Sequence, residues 1–126
     1  MTLLHLDSHV VVWLWAGDAT RLRPVWRLLR RSQLAISPVT MLELQFLFEI
    51  GRITAPGMDV VRELVRDVGL QVAATPLARI VDESIALNWT RDPFDRLIVA
   101  HAKAEGAKLV TRDRGILDHC SWAQWA

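Results

Sequence analysis

Short apolar runs that end at a polar residue alternate along the chain with segments whose apolar positions recur every three or four residues. The first run, residues 3–6, stops at Asp7. Residues 8–15 then have almost no polar face, which predicts a helix buried on most sides. Gly17 closes it, and Pro24 restarts a helix in which Val25, Leu28 and Leu29 face inward while Arg23, Arg27, Arg30 and Arg31 take the other faces. Residues 34–37 predict a second strand, and Pro38 opens a third helix that ends near Gly51. After a loose stretch at 54–57, Val61, Leu64, Val65 and Val68 repeat at i, i+3, i+4 and i+7, an amphipathic pattern stopped by Gly69. Residues 70–74 predict a third strand, and Leu77, Ile80, Val81 and Ile85 the next helix. Asp92-Pro93 begins another helix that runs to Gly106, residues 108–111 form a fourth strand, and residues 121–125 offer a fifth.

Strands that alternate with helices over short connections predict an α/β fold, with a central parallel sheet of four to five strands held between two layers of helices. With 126 residues and no internal repeat, the chain reads as one domain over 1–126. In such folds ligands bind beyond the carboxyl ends of the strands, so the residues just after each strand matter most.

Composition narrows the class. Hydrophobic residues make up 52% and charged residues 23%, enough to bury a core and incompatible with intrinsic disorder. The longest apolar run, residues 10–16, is far below the roughly 20 residues needed to cross a bilayer. No signal peptide is apparent, and the single Cys120 cannot form an internal disulfide, so a cytoplasmic protein without membrane attachment is expected. Metal-binding Cys/His spacings and glycine-rich phosphate loops are missing.

Four acids fall where a site belongs. Asp7 follows the first strand, Asp113 follows the fourth, Glu43 lies in the second turn of the helix after strand two, and Asp95 lies in the first turn of the Asp92-Pro93 helix. Each also has a structural explanation: Asp7 or Ser8 as a cap, Thr40-x-x-Glu43 as a capping box, Asp95 at a helix N-terminus, Asp113 in a turn. Glu43 resists this. Its helical neighbours Val39, Phe46 and Leu47 are apolar, and an unpaired charge there is costly, so it calls for a cation. An oxygen-only set of acids suits Mg²⁺ or Mn²⁺.

Four ordered blocks then carry a resemblance across the whole chain: Leu-His-Leu-Asp7-Ser8-His-Val, Ser37-Pro-Val-Thr-Met-Leu-Glu43-Leu, Arg91-Asp92-Pro93-Phe94-Asp95-Arg96-Leu-Ile, and Leu-Val-Thr111-Arg-Asp113. Together they strongly resemble the PIN domain, and more narrowly the VapC-type toxins of bacterial toxin–antitoxin pairs. The resemblance implies a metal-dependent endoribonuclease in which one or two Mg²⁺ or Mn²⁺ ions activate a water that hydrolyses an RNA phosphodiester. Position by position, Asp7, Glu43, Asp95 and Asp113 match the acidic quartet, with Asp7 as the candidate bridge between two ions. Asp92 matches an accompanying acid, and Thr111 a hydroxyl that orients its neighbours, with Ser8 in support. The resemblance also implies a VapB-like antitoxin partner, a homodimer and a larger hetero-oligomer with the antitoxin.

Other polar residues say less. His5, His9, His101 and His119 lack the spacing of a metal pair, and His101 shares a face with Phe94, Leu97 and Ile98, which predicts a packed histidine. The six Trp residues can stack bases, but Trp13 and Trp15 sit in the first helix, where packing is expected. Arg91, Arg96, Arg112 and Arg114 flank the acids and are candidate phosphate contacts; i,i+4 pairs Arg91–Asp95 and Asp92–Arg96 are the competing explanation. A phosphoacceptor receiver domain is set aside, since Asp7 has no paired acid and Lys108 begins its strand. A catalytically inert interaction module on the same fold is the alternative. The formal charge is +1, from 15 bases and 14 acids. With the four acids gathered around metal, ten acids face fifteen bases, and the body of the protein is moderately basic, as an RNA-binding surface requires.

Overall fold

The computed structural model describes residues Met1–Ala126. Five strands, β1 (Thr2–Leu6), β2 (Ser32–Ile36), β3 (Gln71–Val72), β4 (Lys108–Val110) and β5 (Ala123–Gln124), form one parallel sheet in the order β3-β2-β1-β4-β5. The sheet grows outward from β1 in both directions, to β2 and β3 on one side and to β4 and β5 on the other. Such a reversal opens a crevice beyond the carboxyl ends of the central strands. The expected α/β sandwich is therefore present, with all five strands. The outer two are two residues long rather than five, because each is bonded on one side only, and Gln71 and Val72 are exposed.

Register explains the two cores. Leu4 pairs with Leu34 and Leu6 with Val110, so these side chains share one face, while His5, Ala35 and Leu109 share the other. The first face packs under α1 (Ser8–Ala16), α2 (Ala19–Leu22), the 3₁₀ turn Arg23–Val25, α3 (Trp26–Arg30), α4 (Pro38–Glu49) and α5 (Gly57–Val68), joining Val10, Val11, Leu22, Val25, Leu29, Leu44, Val60 and Leu64. The second packs under α6 (Leu77–Ser84), α7 (Pro93–Ala104) and α8 (Arg114–His119) through Ile80, Ile98, Val99, Leu109 and Ile116. Each fully buried Leu or Ile contributes about 1.5–3 kcal/mol over an exposed one.

Three helical faces differ from the expectation. In α1 only Ser8, Val10 and Val11 are buried; Trp13, Leu14 and Trp15 are half-buried. The helix leaves the carboxyl end of β1, so one side meets the sheet while another borders the open crevice. Trp15 uses its indole N–H to bond Glu63 of α5 rather than vanishing into the core. In α5 the inward stripe is Gly57, Val60, Val61 and Leu64, and Val65 and Val68 face out. Gly57 sets that register: a Cβ there would lie 2.7 Å from the backbone N of Gln45 and 2.8 Å from the carbonyl of Met41, so only glycine lets α5 close onto α4. In α6, Ile80 and Ser84 face in while Leu77, Val81 and Ile85 face out.

Polar residues on the second face bond to one another in part, leaving the other ring nitrogens, His5 Nδ1 and His101 Nε2, buried without a hydrogen bond. Buried His5 donates from Nε2 to Glu105 Oε1 at 2.7 Å, and Thr75 donates to Glu105 Oε2 at 2.7 Å. His101 is packed, as expected, with only 2% of its surface exposed, and its Nδ1 is hydrogen-bonded to Ser37 Oγ at 2.9 Å. These bonds tie β1, α7 and the start of α4 into one frame behind the crevice.

Candidate active site

Each acid reaches the crevice from a strand-to-helix junction. Asp7 caps α1: its Oδ1 accepts from the Ser8 N–H at 2.9 Å and its Oδ2 from the Thr111 hydroxyl at 2.6 Å. Its own N–H donates to Val110 O at 3.0 Å, extending the β1–β4 ladder and fixing the backbone that carries the carboxylate. Asp113 caps α8, with Oδ1 accepting from Ile116 N–H at 3.1 Å. Asp92 caps α7, with Oδ1 accepting from the N–H groups of Phe94 at 2.9 Å and Asp95 at 3.3 Å. Capping was expected for Asp7 and Asp92, and Asp113, expected in a turn, caps a helix as well, but capping does not exhaust the three. A carboxylate has about four acceptor sites, and capping leaves Oδ2 of Asp92 and of Asp113 free.

Glu43 has no capping role. The N-cap of α4 is Ser37, whose Oγ accepts from Val39 N–H at 3.3 Å, so Thr40 and Glu43 lie inside the helix and form no capping box. Glu43 instead accepts a hydrogen bond from the Ser8 hydroxyl. Thr111 is fully buried between two of the acids: it donates to Asp7 and accepts from the Asp113 N–H at 3.0 Å, locking β4 and α8 to the first carboxylate.

The result is a cleft of about 440 Å³ lined by Asp7, Glu43, Asp92, Asp95 and Asp113 together with Ser8, His9 and Arg52. A larger groove of about 550 Å³ between α4 and α6 contains no acid. Charge is unbalanced in the smaller one. Asp95 is pushed up to about 7, first by burial and then by the charges of Asp92, Asp7, Asp113 and Glu43. Glu43 is raised by burial and by Asp7 and Asp92, against the opposing bond from Ser8. A divalent cation relieves this strain, and oxygen-only donors suit a hard one. As the side chains stand, no three of them close on one point tightly enough to grip an ion.

The arginines divide. Arg96 donates from Nε and Nη2 to Ser84 O at 3.2 and 2.9 Å, from Nη2 to Ile85 O at 3.2 Å and from Nη1 to Thr90 O at 3.4 Å. Its fork clamps α7 to the end of α6, and it forms no pair with Asp92. Arg91, Arg112 and Arg114 are exposed; Arg112 lines a smaller opening with His9 and Asp113, Arg91 and Arg114 adjoin Asp92 and Asp113 in the chain, and Arg91 forms no ion pair with Asp95. Sequence reasoning missed His9, Trp13 and Arg52 as cleft residues. His9 and Trp13 had a readable signal, since they stand one helical turn apart on the helix that Asp7 begins; Arg52 follows Gly51 in a turn and had none.

Comparison with known proteins accounts for this arrangement. The PIN domain profile matches residues 4–120, which includes every acid of the cleft. The chain belongs to the PIN domain family. Among its PIN relatives, Ribonuclease VapC22 of Mycobacterium tuberculosis is 35% identical over 128 residues, covering 94% of this chain and 93% of that protein. The PIN fold of this chain is also similar to that in VapBC2 from Rickettsia felis bound to a DNA fragment from its promoter, with a TM-score of 0.69 at 17% identity, covering 99% and 98% of the two chains. DNA-bound VapBC from Salmonella typhimurium gives a TM-score of 0.65 at 20% identity, covering 100% of this chain and 98% of that one. These structures fix the PIN architecture, and the sequence relative places the chain with the VapC proteins.

Proposed function

We propose that this protein is a VapC-type endoribonuclease toxin that hydrolyses RNA phosphodiester bonds with one or two Mg²⁺ or Mn²⁺ ions and is neutralised by a VapB-like antitoxin. The observation that carries the reading is the convergence of Asp7, Glu43, Asp95 and Asp113 on one cleft, with Asp95 held near neutral proton affinity by its neighbours. Its support from relatives is the ribonuclease name of a protein similar over nearly the whole chain. An inert module has no use for four uncompensated acids, and calorimetric titration with Mn²⁺ separates the two readings.

Asp7, Asp95, Asp113 and Glu43 would hold the metal, which when bound supplies electrostatic activation of water and stabilises the leaving oxygen. Asp7 is the anchor, because Thr111 and the Ser8 N–H fix its orientation. Glu43 has a raised proton affinity and a hydroxyl neighbour, which suits it to hold the attacking water in place. Asp92 keeps the start of α7 rigid so that Asp95 is presented at a constant position. Arg91, Arg112 and Arg114 are placed to take phosphates of the RNA strand; Arg96, bonded to carbonyls, is not. An arginine from the antitoxin would satisfy the same acids and shut the cleft.

The reading extends to assembly. Leu42 and Phe46 on α4 with Ile50 at its end, and Leu77 and Val81 on α6 with Ile85 at its end, are each at least 42% exposed, and Leu42 and Leu77 line the larger groove. Such a face is suited to a second copy of the chain, with the antitoxin bound separately at the acidic cleft. Light scattering of the protein alone should give a dimer mass and Ile85→Lys a monomer; a wild-type monomer contradicts it. No helix is long and apolar enough to cross a membrane, and a cytoplasmic location goes with the RNA substrate.

Purified protein should cut RNA in Mg²⁺ and stop when EDTA is added. Asp7→Asn should lower the cleavage rate about 100- to 1000-fold, the scale of losing one element of transition-state charge stabilisation, here the cation that Asp7 would hold. Full activity in both Asp7→Asn and Asp95→Asn would sink the assignment.

A further inference from the structure

The acids account for only part of the cleft. Besides Ser8, His9 and Arg52, its wall contains Val12 and Trp13 of α1, Leu47 of α4 and Ile53, an apolar stretch that does nothing for a cation or a phosphate. Trp13 is the centre of it. A second opening of about 320 Å³, lined by His9, Trp13, Arg112 and Asp113, shares three of those residues with the acidic cleft, so the indole lies where the two meet.

Cations gather around the ring. The Arg21 guanidinium lies over the ring, 5.6 Å from its centroid, and that of Arg112 at 6.0 Å, so a base that stacks on the indole takes the place of a guanidinium; the Arg21 side chain is 56% exposed while bonded to Asp18. The indole is held in place by the His9 ring at 4.9 Å and by an edge contact with Trp125 at 5.9 Å. His9 is fixed in turn, because its Nε2 accepts from the Arg112 backbone N–H at 3.0 Å. A tryptophan used for core packing alone would be enclosed, with no cleft at its surface and no solvated guanidinium beside it.

We propose that Trp13 is a stacking platform for one unpaired RNA base adjacent to the phosphate held at the acids, with Arg112 and Arg21 taking the phosphates on either side of that nucleotide. Apolar wall, aromatic ring and flanking arginines are the elements with which proteins bind single-stranded nucleic acid. Bases inside a duplex already have both faces stacked, so Trp13 can engage a base only where the strand is unpaired. The inference rests on the ribonuclease reading above and adds to it a specificity-determining residue that contributes no charge.

The test is a double cycle on a short unstructured RNA oligomer in Mg²⁺, read as KM and kcat for wild type, Trp13→Phe and Trp13→Ala. Each enzyme is given the intact oligomer and a series of oligomers carrying one abasic nucleotide at successive positions near the cut. Trp13→Ala should raise KM about 5- to 100-fold with little change in kcat, while Trp13→Phe, which keeps an aromatic face, stays close to wild type. Removing one particular base should raise the wild-type KM by a similar factor and leave Trp13→Ala unaffected; annealing the complementary strand should likewise erase the difference between the two. If Trp13→Ala fails to fold, Trp13→Leu keeps the bulk without the ring and takes its place. Losses that multiply at every abasic position, or a Phe variant as damaged as the Ala variant, overturn the proposal. Asp7→Asn in the same assay keeps the two failures apart. Cutting that persists without Asp7 defeats the ribonuclease reading, whereas Asp7-dependent cutting with multiplying losses defeats the stacking platform alone.

Discussion

Asp95→Asn is expected to remove metal-dependent RNA cleavage and, in the metal-free protein at pH 8, to raise stability by roughly 1–3 kcal/mol. The two effects have one cause. Burial and four neighbouring acids push Asp95 up to about 7, so at pH 8 the folded state carries a charge that the unfolded chain carries more easily. Between the ordinary carboxylate range and about 7 the folded state binds the extra proton, and metal-free stability therefore falls as pH rises through that window. Glu43, also raised, adds in the same direction. Buried His5 and His101, held below the ordinary histidine range by burial, act the other way, so urea denaturation in EDTA at pH 5 and pH 8 is read as a comparison: Asp95→Asn should gain stability relative to wild type between pH 5 and pH 8. Because protons and metal compete for the same oxygens, cleavage in Mg²⁺ should decline as pH falls, and the midpoint of that decline should move lower as Mg²⁺ is raised. A variant that is less stable at pH 8 than wild type would show that Asp95 has a structural role instead.

Mg²⁺ or Mn²⁺ is expected to raise the melting temperature of the wild type at pH 8. A ligand present at a hundred times its dissociation constant adds about 2.7 kcal/mol to the folded state, on the order of 5–15 °C for a domain of this size. The gain should be larger for this chain at pH 8 than at pH 5, because protonated acids do not ligate. Asp7→Asn should abolish most of it, since Asp7 is the one acid whose geometry is fixed from both sides by Thr111 and the Ser8 N–H. A calorimetric scan with and without Mn²⁺ checks this, and an equal shift in Asp7→Asn would place the cation elsewhere.

How much of this was readable beforehand depends on what kind of signal each feature leaves. The sheet and its helices were legible because periodicity and the Gly and Pro stops report them directly. The acids were legible because each follows a strand or opens a helix, where the fold converges. Which face a helix turns inward was not. Val65 and Val68 continue the apolar repeat of α5, yet contact is decided by Gly57 fitting against the backbone of Gln45 and Met41, a tertiary fact. Leu77, Val81 and Ile85 likewise look like core positions and stay exposed, since an apolar repeat reads the same whether it meets the core or a partner. Arg96 looked like a phosphate ligand or an i,i+4 pair and became a clamp on three carbonyls, because the end of α6 arrives beside it. Trp13 could be placed near the site by its spacing from His9 and Asp7, but Arg52 reaches the cleft only because chain segments meet across the crevice, and local sequence carries no record of that.

The central claim is that Asp7, Glu43, Asp95 and Asp113 form a ribonuclease centre. Sequencing the 5′ ends of cellular RNA after expressing the wild type and Asp7→Asn at equal levels tests it most directly. The account predicts new 5′ ends at defined positions, in single-stranded regions, in the wild type alone. The same ends at the same abundance with Asp7→Asn, or no new ends with either, would contradict it.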